Sequence, residues 1–423
     1  MRETTAGPLP ISAPSFRIFL AGRTVSELGS RVTREGLPII AVLLLHATAQ
    51  DLSWLAGLSY IAALLASPLS GVLADRTRRR PLLVASDLLR ATLLGALTLL
   101  ALANLLAFWQ LLAAFVLVAA LNTLFDVADQ AWLPGLVGVA QLPQANAWLS
   151  GASALGETGG PVLMGLLIQF LGGPLTILSD AVSYLASAIT LLQLGASESP
   201  SRSRQAAPGV TASALAGLKA LWRHPLLRPL AMAAALISLS GGVFDALYAF
   251  FALRVLHLSP FLIGMLITGG GVGALVGSVF APLAARRVGL GRAAVYGVMG
   301  YGLLLLLVPL APATPLLAFA FLLAAQLFGD LLATLFGFAE AVLRQSVTPE
   351  GWLGRISGSQ RLLGNVLGAA GAFAGGVIAG PLAVRGALLV AAVCALLGLV
   401  WLLRSPLPGL RAAPAAEPGG FPA

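Results

Sequence analysis

The chain consists of apolar runs that follow one another almost without interruption, and this pattern constrains its fold more than any other feature. Hydrophobic residues occupy 58% of the 423 positions, and charged residues only 10%. A water-soluble core has no room for so many apolar side chains, whereas runs of about 20 apolar residues have the length of a helix that crosses a bilayer. The sequence therefore predicts an all-α polytopic membrane protein.

Cutting the sequence at Gly, Pro and charge clusters predicts twelve spans in two sets of six. The first set covers residues 16–42, 53–74, 82–103, 106–128, 147–171 and 173–194, and the second covers 227–252, 260–284, 292–311, 315–338, 360–381 and 384–403. We expect a cytoplasmic tail over 1–15, a six-helix bundle over 16–195, a cytoplasmic linker with an interfacial helix over 196–226, a second bundle over 227–404 and a disordered cytoplasmic tail over 405–423.

The distribution of arginines predicts the orientation of these spans. If the N-terminus is inside, the outer loops carry only Arg254 and Arg385, and the other loop arginines are cytoplasmic. Positive residues favour the cytoplasmic side of a membrane. We therefore expect a multi-pass protein of a bacterial inner membrane with both termini in the cytoplasm.

Several functional classes find no support in the sequence. The three histidines are widely spaced and form no metal-ligand pattern. The single lysine, Lys219, follows no GxxxxGK[ST] motif, so we expect no ATP-binding site in this chain. The net charge of +9 lies in short loops, where membrane topology explains it better than a nucleic-acid partner does. No nucleophile–base pattern suggests an enzyme, and no cofactor is implied.

The two halves of the chain repeat one another. LFDVADQAWLP at 124–134 aligns with LFGFAEAVLRQ at 335–345, which sets Asp129 opposite Glu340. Internal repeats of this kind are typical of transporters in which one bundle rocks against the other. We expect Asp129 and Glu340 to be gate partners near the inner ends of their spans.

A charged loop between the second and third spans carries a family resemblance. GVLADRTRRR, from Gly71 to Arg80, resembles the signature loop of the major facilitator superfamily, although Thr77 and Arg78 replace the usual glycine after the Asp-Arg pair. The resemblance implies a gate latch formed by the glycine, the acid and two basic residues, namely Gly71, Asp75, Arg76 and Arg80. Arg355 and Arg361 are expected beside it. A purely topological role for these arginines is the alternative.

The resemblance extends over nearly the whole chain. KALWRHPLLRPL and WLGRISGSQRLLG are similar to segments of a bacterial branch that includes macrolide efflux proteins and the enterobactin exporter. It implies two pseudo-symmetric six-helix bundles, with spans one, four, seven and ten around a central cavity. We expect a monomer whose partners are the lipid bilayer, protons and a small-molecule substrate.

The fifth span contains a second motif. Gly156, Gly160, Pro161 and Gly165 resemble the antiporter motif of the same superfamily, with Met164 where a glycine is usual. This resemblance points to export. The alternative is that small residues only allow close helix packing.

The first span carries a charged stripe. Arg23, Glu27, Arg31 and Arg34 follow one another at spacings of four, four and three, so they share one helix face. Such a face is too costly against lipid and is expected to line the cavity, with Asp126 as a further candidate. A salt-bridge ladder that only fixes helix packing is the alternative.

Three acids are candidates for carrying protons. Glu157 lies inside the fifth span, where we expect it to be buried; pairing with an arginine such as Arg31 is the alternative. Glu27 belongs to the stripe, and Asp330 lies near the middle of the tenth span. We expect a secondary transporter that exports a drug-like or siderophore-like amphipathic molecule by proton-coupled antiport. A proton-coupled importer of a small nutrient and a non-transporting sensor or scaffold remain as alternatives.

Overall fold

The computed structural model describes residues 14–194, 210–412 and 414, and all the regular secondary structure in these ranges is helical. The helices are α1 (Pro14–Leu44), α2 (Ala49–Arg76), α3 (Arg79–Leu102), α4 (Phe108–Val137), α5 (Leu142–Gln193), α6 (Val210–Arg223), α7 (Leu227–Phe250), α8 (Pro260–Val288), α9 (Leu290–Leu305), α10 (Leu307–Leu310), α11 (Pro315–Val347) and α12 (Glu350–Leu403). A π-helical turn, Phe251–Val255, extends α7.

Two of these helices are too long for a single crossing. α5 has 52 residues and α12 has 54. A straight helix of that length would measure about 80 Å, more than twice the hydrocarbon thickness of a bilayer. Each is broken by one residue with positive φ: Gly172 at 78° in α5 and Ala383 at 56° in α12. Glycine tolerates this conformation, whereas alanine adopts it at a cost.

The described helices can be compared with the twelve predicted spans. Within the described ranges, nine helical segments are long and apolar enough to cross a membrane. If α5 and α12, each broken once, count as two spans, the number rises to eleven. α1 is the candidate for the twelfth; its charged stripe lowers its mean hydropathy, so it is not among the nine. The breaks at Gly172 and Ala383 fall where the sequence predicts boundaries between spans.

The described residues form two compact units that are not continuous in the chain. The first unit contains residues 14–47, 62–194 and 259–268, and the second contains 48–61, 210–258 and 269–412. The sequence predicts two continuous bundles. The structure differs, because the first part of α2 belongs to the second unit and the first part of α8 belongs to the first unit. In the first unit the Thr268 hydroxyl donates a hydrogen bond of 2.7 Å to the Thr158 carbonyl. In the second, the Trp54 and Phe373 rings pack edge to face at 5.2 Å.

Each unit has its own apolar core. In the first unit the core contains Phe16, Phe19, Phe125 and Trp132, and the Phe19 and Trp132 rings meet at 5.5 Å. In the second unit it joins α7, α8, α9, α11 and the end of α12. Exposed apolar side chains outside these cores are typical of helices that face lipid.

The predicted disorder over 405–423 is wrong for residues 405–412. Leu407 is fully buried in the core of the second unit, and the Gly291 amide donates a hydrogen bond of 3.1 Å to the Leu410 carbonyl. The apolar Leu407 and Leu410 side chains therefore hold this segment against α9. The predictions for 1–13, 195–209, 413 and 415–423 lie outside the described residues.

A helix, α6, forms in the segment for which the sequence predicts an interfacial helix. Its Ala220 and Leu221 side chains are each 1% exposed and join a small core with α7 and α12. Gly217 faces α12 so closely that a Cβ atom there would lie 2.5 Å from the Arg355 carbonyl oxygen. This helix is therefore packed on the second unit along one face.

Candidate functional site

The charged stripe of α1 forms a continuous chain of ion pairs in the first unit. Arg23 lies 3.1 Å from Asp126, 3.5 Å from Asp129 and 3.8 Å from Glu27. Arg31 lies 3.4 Å from Glu27 and 2.9 Å from Glu157. We call these six residues the ion-pair ladder: Arg23, Glu27, Arg31, Asp126, Asp129 and Glu157. The ladder joins α4, α1 and α5, so the predicted stripe lies against protein.

The glycines of α5 make room for the ladder. A Cβ atom at Gly156 would lie 2.7 Å from Glu27 Cγ, and one at Gly160 would lie 2.5 Å from Arg31 Cβ. Both distances are too short for real side chains, so only glycine allows α5 to approach the stripe. Further along, a Cβ atom at Gly165 would lie 2.7 Å from the carbonyl oxygen of Pro260 in α8. Close packing of α5 against its neighbours thus accounts for the glycines that resemble an antiporter motif.

The ladder contains four carboxylates and two guanidinium groups. When all six groups are ionised, it carries an excess of two negative charges. The Asp126 and Glu157 side chains at its ends are both 56% exposed, whereas Glu27 is 15% exposed. The expected burial of Glu157 is therefore wrong, because its carboxylate reaches Arg31 at the surface of the unit. The alternative, pairing with Arg31, is the arrangement found.

Arg34 and Asp129 differ from their predicted surroundings. Arg34 is 64% exposed and contacts the neighbouring Glu35 at 3.5 Å, so it lies outside the ladder. Asp129 is predicted to be a gate partner, yet it is almost buried and pairs with Arg23. Its Oδ1 atom accepts no hydrogen bond from any described residue. It is therefore an inner member of the ladder.

A second charged pair, which the sequence analysis missed, is buried beside the ladder. Asp87 and Arg90 of α3 form an ion pair and are 0% and 2% exposed. The Arg90 guanidinium lies between the rings of Phe125 and Tyr184, at 4.5 and 4.2 Å from their centroids. It also donates a hydrogen bond of 2.5 Å to Asn122 Oδ1. The signal was the acid and base three positions apart inside an otherwise apolar span.

Phe125 connects the buried pair to the ladder. The Arg23 guanidinium lies 4.9 Å from the centroid of the Phe125 ring, and Arg90 contacts the same ring. An arginine over an aromatic face gains electrostatic energy that increases when water is excluded. Movement of Arg23 would therefore disturb the packing of Arg90.

Asp180 is a buried acid of the first unit that forms no ion pair with a described residue. Its side chain is fully buried, and it accepts a hydrogen bond of 2.8 Å from the Ser183 hydroxyl. Its other oxygen, Oδ2, has no hydrogen-bond partner among the described residues. Gly29 of α1 packs directly on it, since a Cβ atom there would lie 2.4 Å from Asp180 Oδ1.

The second unit carries its own acids in the membrane-spanning part. Asp330 is partly buried and forms no ion pair with a described residue. Gly270 of α8 lies beside it, since a Cβ atom there would be 2.3 Å from Asp330 Oδ2. On α7, Asp245 accepts a hydrogen bond of 2.5 Å from the Tyr60 hydroxyl. Asp330 therefore remains a candidate for carrying protons that does not belong to the ladder.

The residues of the predicted latch do not form one cluster within the first unit. Asp75 and Arg76 at the end of α2 are exposed, and Gly71 has open space around it. Arg80 instead turns toward the end of α5, where it donates hydrogen bonds to the carbonyls of Leu191 (2.8 Å) and Leu192 (2.5 Å). Arg80 thus anchors the loop to its own unit.

The remaining latch candidates lie in the second unit. Glu340 pairs with Arg344 at 3.1 Å and accepts a hydrogen bond of 2.8 Å from the Gln360 amide. Arg355 lies over the Trp352 ring at 4.9 Å, and Arg361 is exposed. Glu340, like its counterpart Asp129, thus pairs with an arginine of its own unit.

Among the described residues, no group of three or more His, Cys, Asp or Glu side chains could hold a metal ion. The ladder itself offers carboxylates and guanidinium groups, which form ion pairs with one another. Its exposed ends also offer hydrogen-bond acceptors to a polar or cationic ligand.

The chain is similar to several known proteins. The family model of the Major Facilitator Superfamily matches residues 22–372. The chain is 28% identical over 372 residues to the enterobactin exporter EntS of Citrobacter koseri, a match that covers 84% of each protein. It is 26% identical over 393 residues to the multidrug efflux pump Tap of Mycolicibacterium fortuitum, covering 90% of this chain and 91% of the relative.

Solved structures show the same fold. A bacterial homologue of the iron transporter ferroportin, in its inward-facing state, matches with a TM-score of 0.70 and 20% identity, over 92% of this chain and 98% of that one. An auto-inhibited peptide transporter of the POT family matches with a TM-score of 0.73 and 13% identity, over 97% and 99%. At these identities the likeness concerns the fold alone.

Proposed function

Since this chain belongs to the Major Facilitator Superfamily, we propose that it exports an amphipathic small molecule in exchange for protons, by alternating access. Membership makes it a multi-pass membrane transporter and not an enzyme. Direction, coupling ion and cargo class are the proposed parts.

The observation that carries the proposal is the charge imbalance of the ion-pair ladder. Four carboxylates compete for the guanidinium groups of Arg23 and Arg31, and two of them are exposed at its ends. An excess of negative charge in a membrane-spanning unit is costly, and protons or a cationic ligand relieve it. This excess of carboxylates supports the proposal that compensation of their charge is coupled to transport.

Arg31 offers a way for one proton to change the ladder. It lies 2.9 Å from Glu157 and 3.4 Å from Glu27, so the two carboxylates share one guanidinium. A proton on Glu157 would remove its negative charge, so that Arg31 would form an ion pair with Glu27 only. Proton binding at the exposed end would thus shift an arginine on the helix expected to line the cavity.

Two observations support export over import. The names of the relatives at 26–28% identity, an enterobactin exporter and a multidrug efflux pump, both describe outward movement. The Gly-Pro motif of α5 resembles that of antiporters, and its glycines hold the ladder against α5. These names also support a drug-like or siderophore-like cargo. We further propose a monomer in a bacterial inner membrane, with both termini cytoplasmic.

The test uses purified protein in proteoliposomes under an imposed pH gradient. The probes are ethidium, a cationic amphipathic dye, and a tris-catecholate siderophore. We expect at least one of them to move against its gradient toward the side that is richer in protons, and to stop when an ionophore collapses the gradient. Movement of cargo in the same direction as protons would establish an importer. Binding without any gradient-dependent movement would favour a sensor.

A further inference from the structure

A cavity in the second unit is lined by none of the charged residues described above. Its volume is about 410 Å³, and it is bordered by the start of α7 and the end of α12. The residues that matter here are Pro225, Arg228, Pro229, Val400, Trp401 and Arg404. The cavity thus combines two cationic side chains with an apolar wall.

The two arginines have no acidic partner in the part of the chain that the structure describes. Arg228 and Arg404 are both exposed, and neither forms an ion pair or a side-chain hydrogen bond there. The Arg228 guanidinium lies 5.8 Å from the centroid of the Trp401 ring, which holds it at the cavity. Guanidinium groups bind phosphate through paired N–H donors, so the site is suited to a phosphate group.

Lipid headgroups are expected at the level of this cavity, because membrane-spanning helices end there. α7 begins at Leu227 and α12 ends at Leu403, so each arginine adjoins the end of a membrane-spanning segment. Tryptophan is enriched at this level of membranes, and Trp401 lies there beside Val400. If a lipid entered here from the bilayer, its headgroup would contact the arginines and its acyl chains would contact apolar side chains.

The walls of the cavity are fixed by local hydrogen bonds. At the start of α7, His224 Nδ1 accepts hydrogen bonds from the Leu226 and Leu227 amides, at 3.2 and 3.4 Å. After α12, the Ser405 hydroxyl donates a hydrogen bond of 2.6 Å to the Leu402 carbonyl and accepts one of 3.3 Å from the Leu407 amide. These hydrogen bonds hold the chain segments that carry Arg228 and Arg404.

We propose that this cavity binds the phosphate headgroup of an anionic phospholipid, with Arg228 and Arg404 as the phosphate donors. Basic pockets between membrane-spanning helices are known to suit such headgroups. An anionic lipid fits better than a zwitterionic one, because no acidic side chain among the described cavity-lining residues balances the two arginines. This proposal does not depend on the direction or cargo of transport.

The test is lipid binding by the full chain in detergent. Protein stripped of lipid is titrated with phosphatidylglycerol or phosphatidylcholine, and bound lipid is counted by native mass spectrometry. Each arginine near a membrane surface contributes about fivefold to the affinity for anionic lipid, so Arg228→Gln/Arg404→Gln should weaken phosphatidylglycerol binding by about 25-fold. Phosphatidylcholine binding should change little.

A matched control removes the same charge elsewhere. Arg286 and Arg287 are exposed at the end of α8, so Arg286→Gln/Arg287→Gln should leave phosphatidylglycerol binding intact. Arg228→Lys/Arg404→Lys should keep most of the affinity, because it keeps both charges. The proposal is wrong if the control pair loses as much affinity, if the lysine pair binds no better than the glutamine pair, or if millimolar inorganic phosphate displaces the lipid.

Discussion

At the residue scale, the charged side chains of the first unit divide into a predicted and an unpredicted set. The position of Arg23, Glu27 and Arg31 on one helix face that avoids lipid could be predicted from the sequence, because of their helical spacing and the cost of placing charge in lipid. Asp87 and Arg90 were missed because the sequence pattern of a single buried acid–base pair is the same as that of two charged residues where a span meets a surface loop. Only the folded chain brings Phe125 and Tyr184 onto Arg90.

The buried pair gives the first prediction. Arg90→Met should lower the free energy of unfolding by about 3–5 kcal/mol, because it leaves the Asp87 carboxylate buried without its counter-charge. Adding Asp87→Asn should restore much of that loss. Unfolding in mixed detergent micelles measures both variants. Arg78→Met, at an exposed position just before α3, is the control. Equal stability of Arg90→Met and the control would show that the pair is not ionised.

At the scale of elements, the limits of the spans were predictable because Gly and Pro mark their ends. The breaks in α5 and α12 lie within GGP (172–174) and GPLA (380–383), at Gly172 and Ala383. The order of residues 405–412 was not predictable, since a Pro/Gly-rich tail gives no sign that Leu407 fits into the core. Nor does the sequence indicate that residues 48–61 and 259–268 pack with the other unit.

The close approach of α1 and α5 gives the second prediction. Gly160→Ala would place a methyl group 2.5 Å from Arg31 Cβ, so the helices must separate and the Arg31–Glu157 pair must lengthen. Overpacking of this kind costs about 1–3 kcal/mol. We expect a lower melting temperature in detergent and impaired transport in proteoliposomes.

Gly151→Ala on the same helix is the matched control for Gly160→Ala. Gly151 has no atom within 4 Å of its Cβ position, so alanine there should leave both stability and transport near those of the unchanged protein. If both variants behave alike, the glycines of α5 serve helix flexibility rather than the approach of the charged stripe.

At the scale of the whole molecule, we propose that Asp75 acts as a latch when the two bundles change their arrangement. It is exposed at the end of α2 and forms no ion pair with a described residue. Asp75→Asn should therefore leave folding unchanged and increase the population of inward-facing molecules. Distances between spin labels on the inner ends of the two bundles report this. An unchanged distance distribution together with normal transport would exclude the latch.

Proton coupling is the central claim at this scale, and it depends on carboxylates that share an arginine. Glu157→Gln and Glu27→Gln each fix one of these groups in a neutral form. Both variants should still bind cargo, because the arginines and the shape of the site are kept. Neither should concentrate cargo against its gradient, because each variant removes one of the two carboxylates that share Arg31. Glu350→Gln, at an exposed position at the start of α12, is the control and should transport normally.

The most direct measurement is cargo accumulation in proteoliposomes under an imposed pH gradient, with equilibrium binding in detergent measured on the same preparations. We expect the two ladder variants to bind cargo within about threefold of the unchanged protein, less than 1 kcal/mol, while losing gradient-driven accumulation. Full accumulation by both Glu157→Gln and Glu27→Gln would contradict proton coupling at the ion-pair ladder and leave Asp330 as the next candidate.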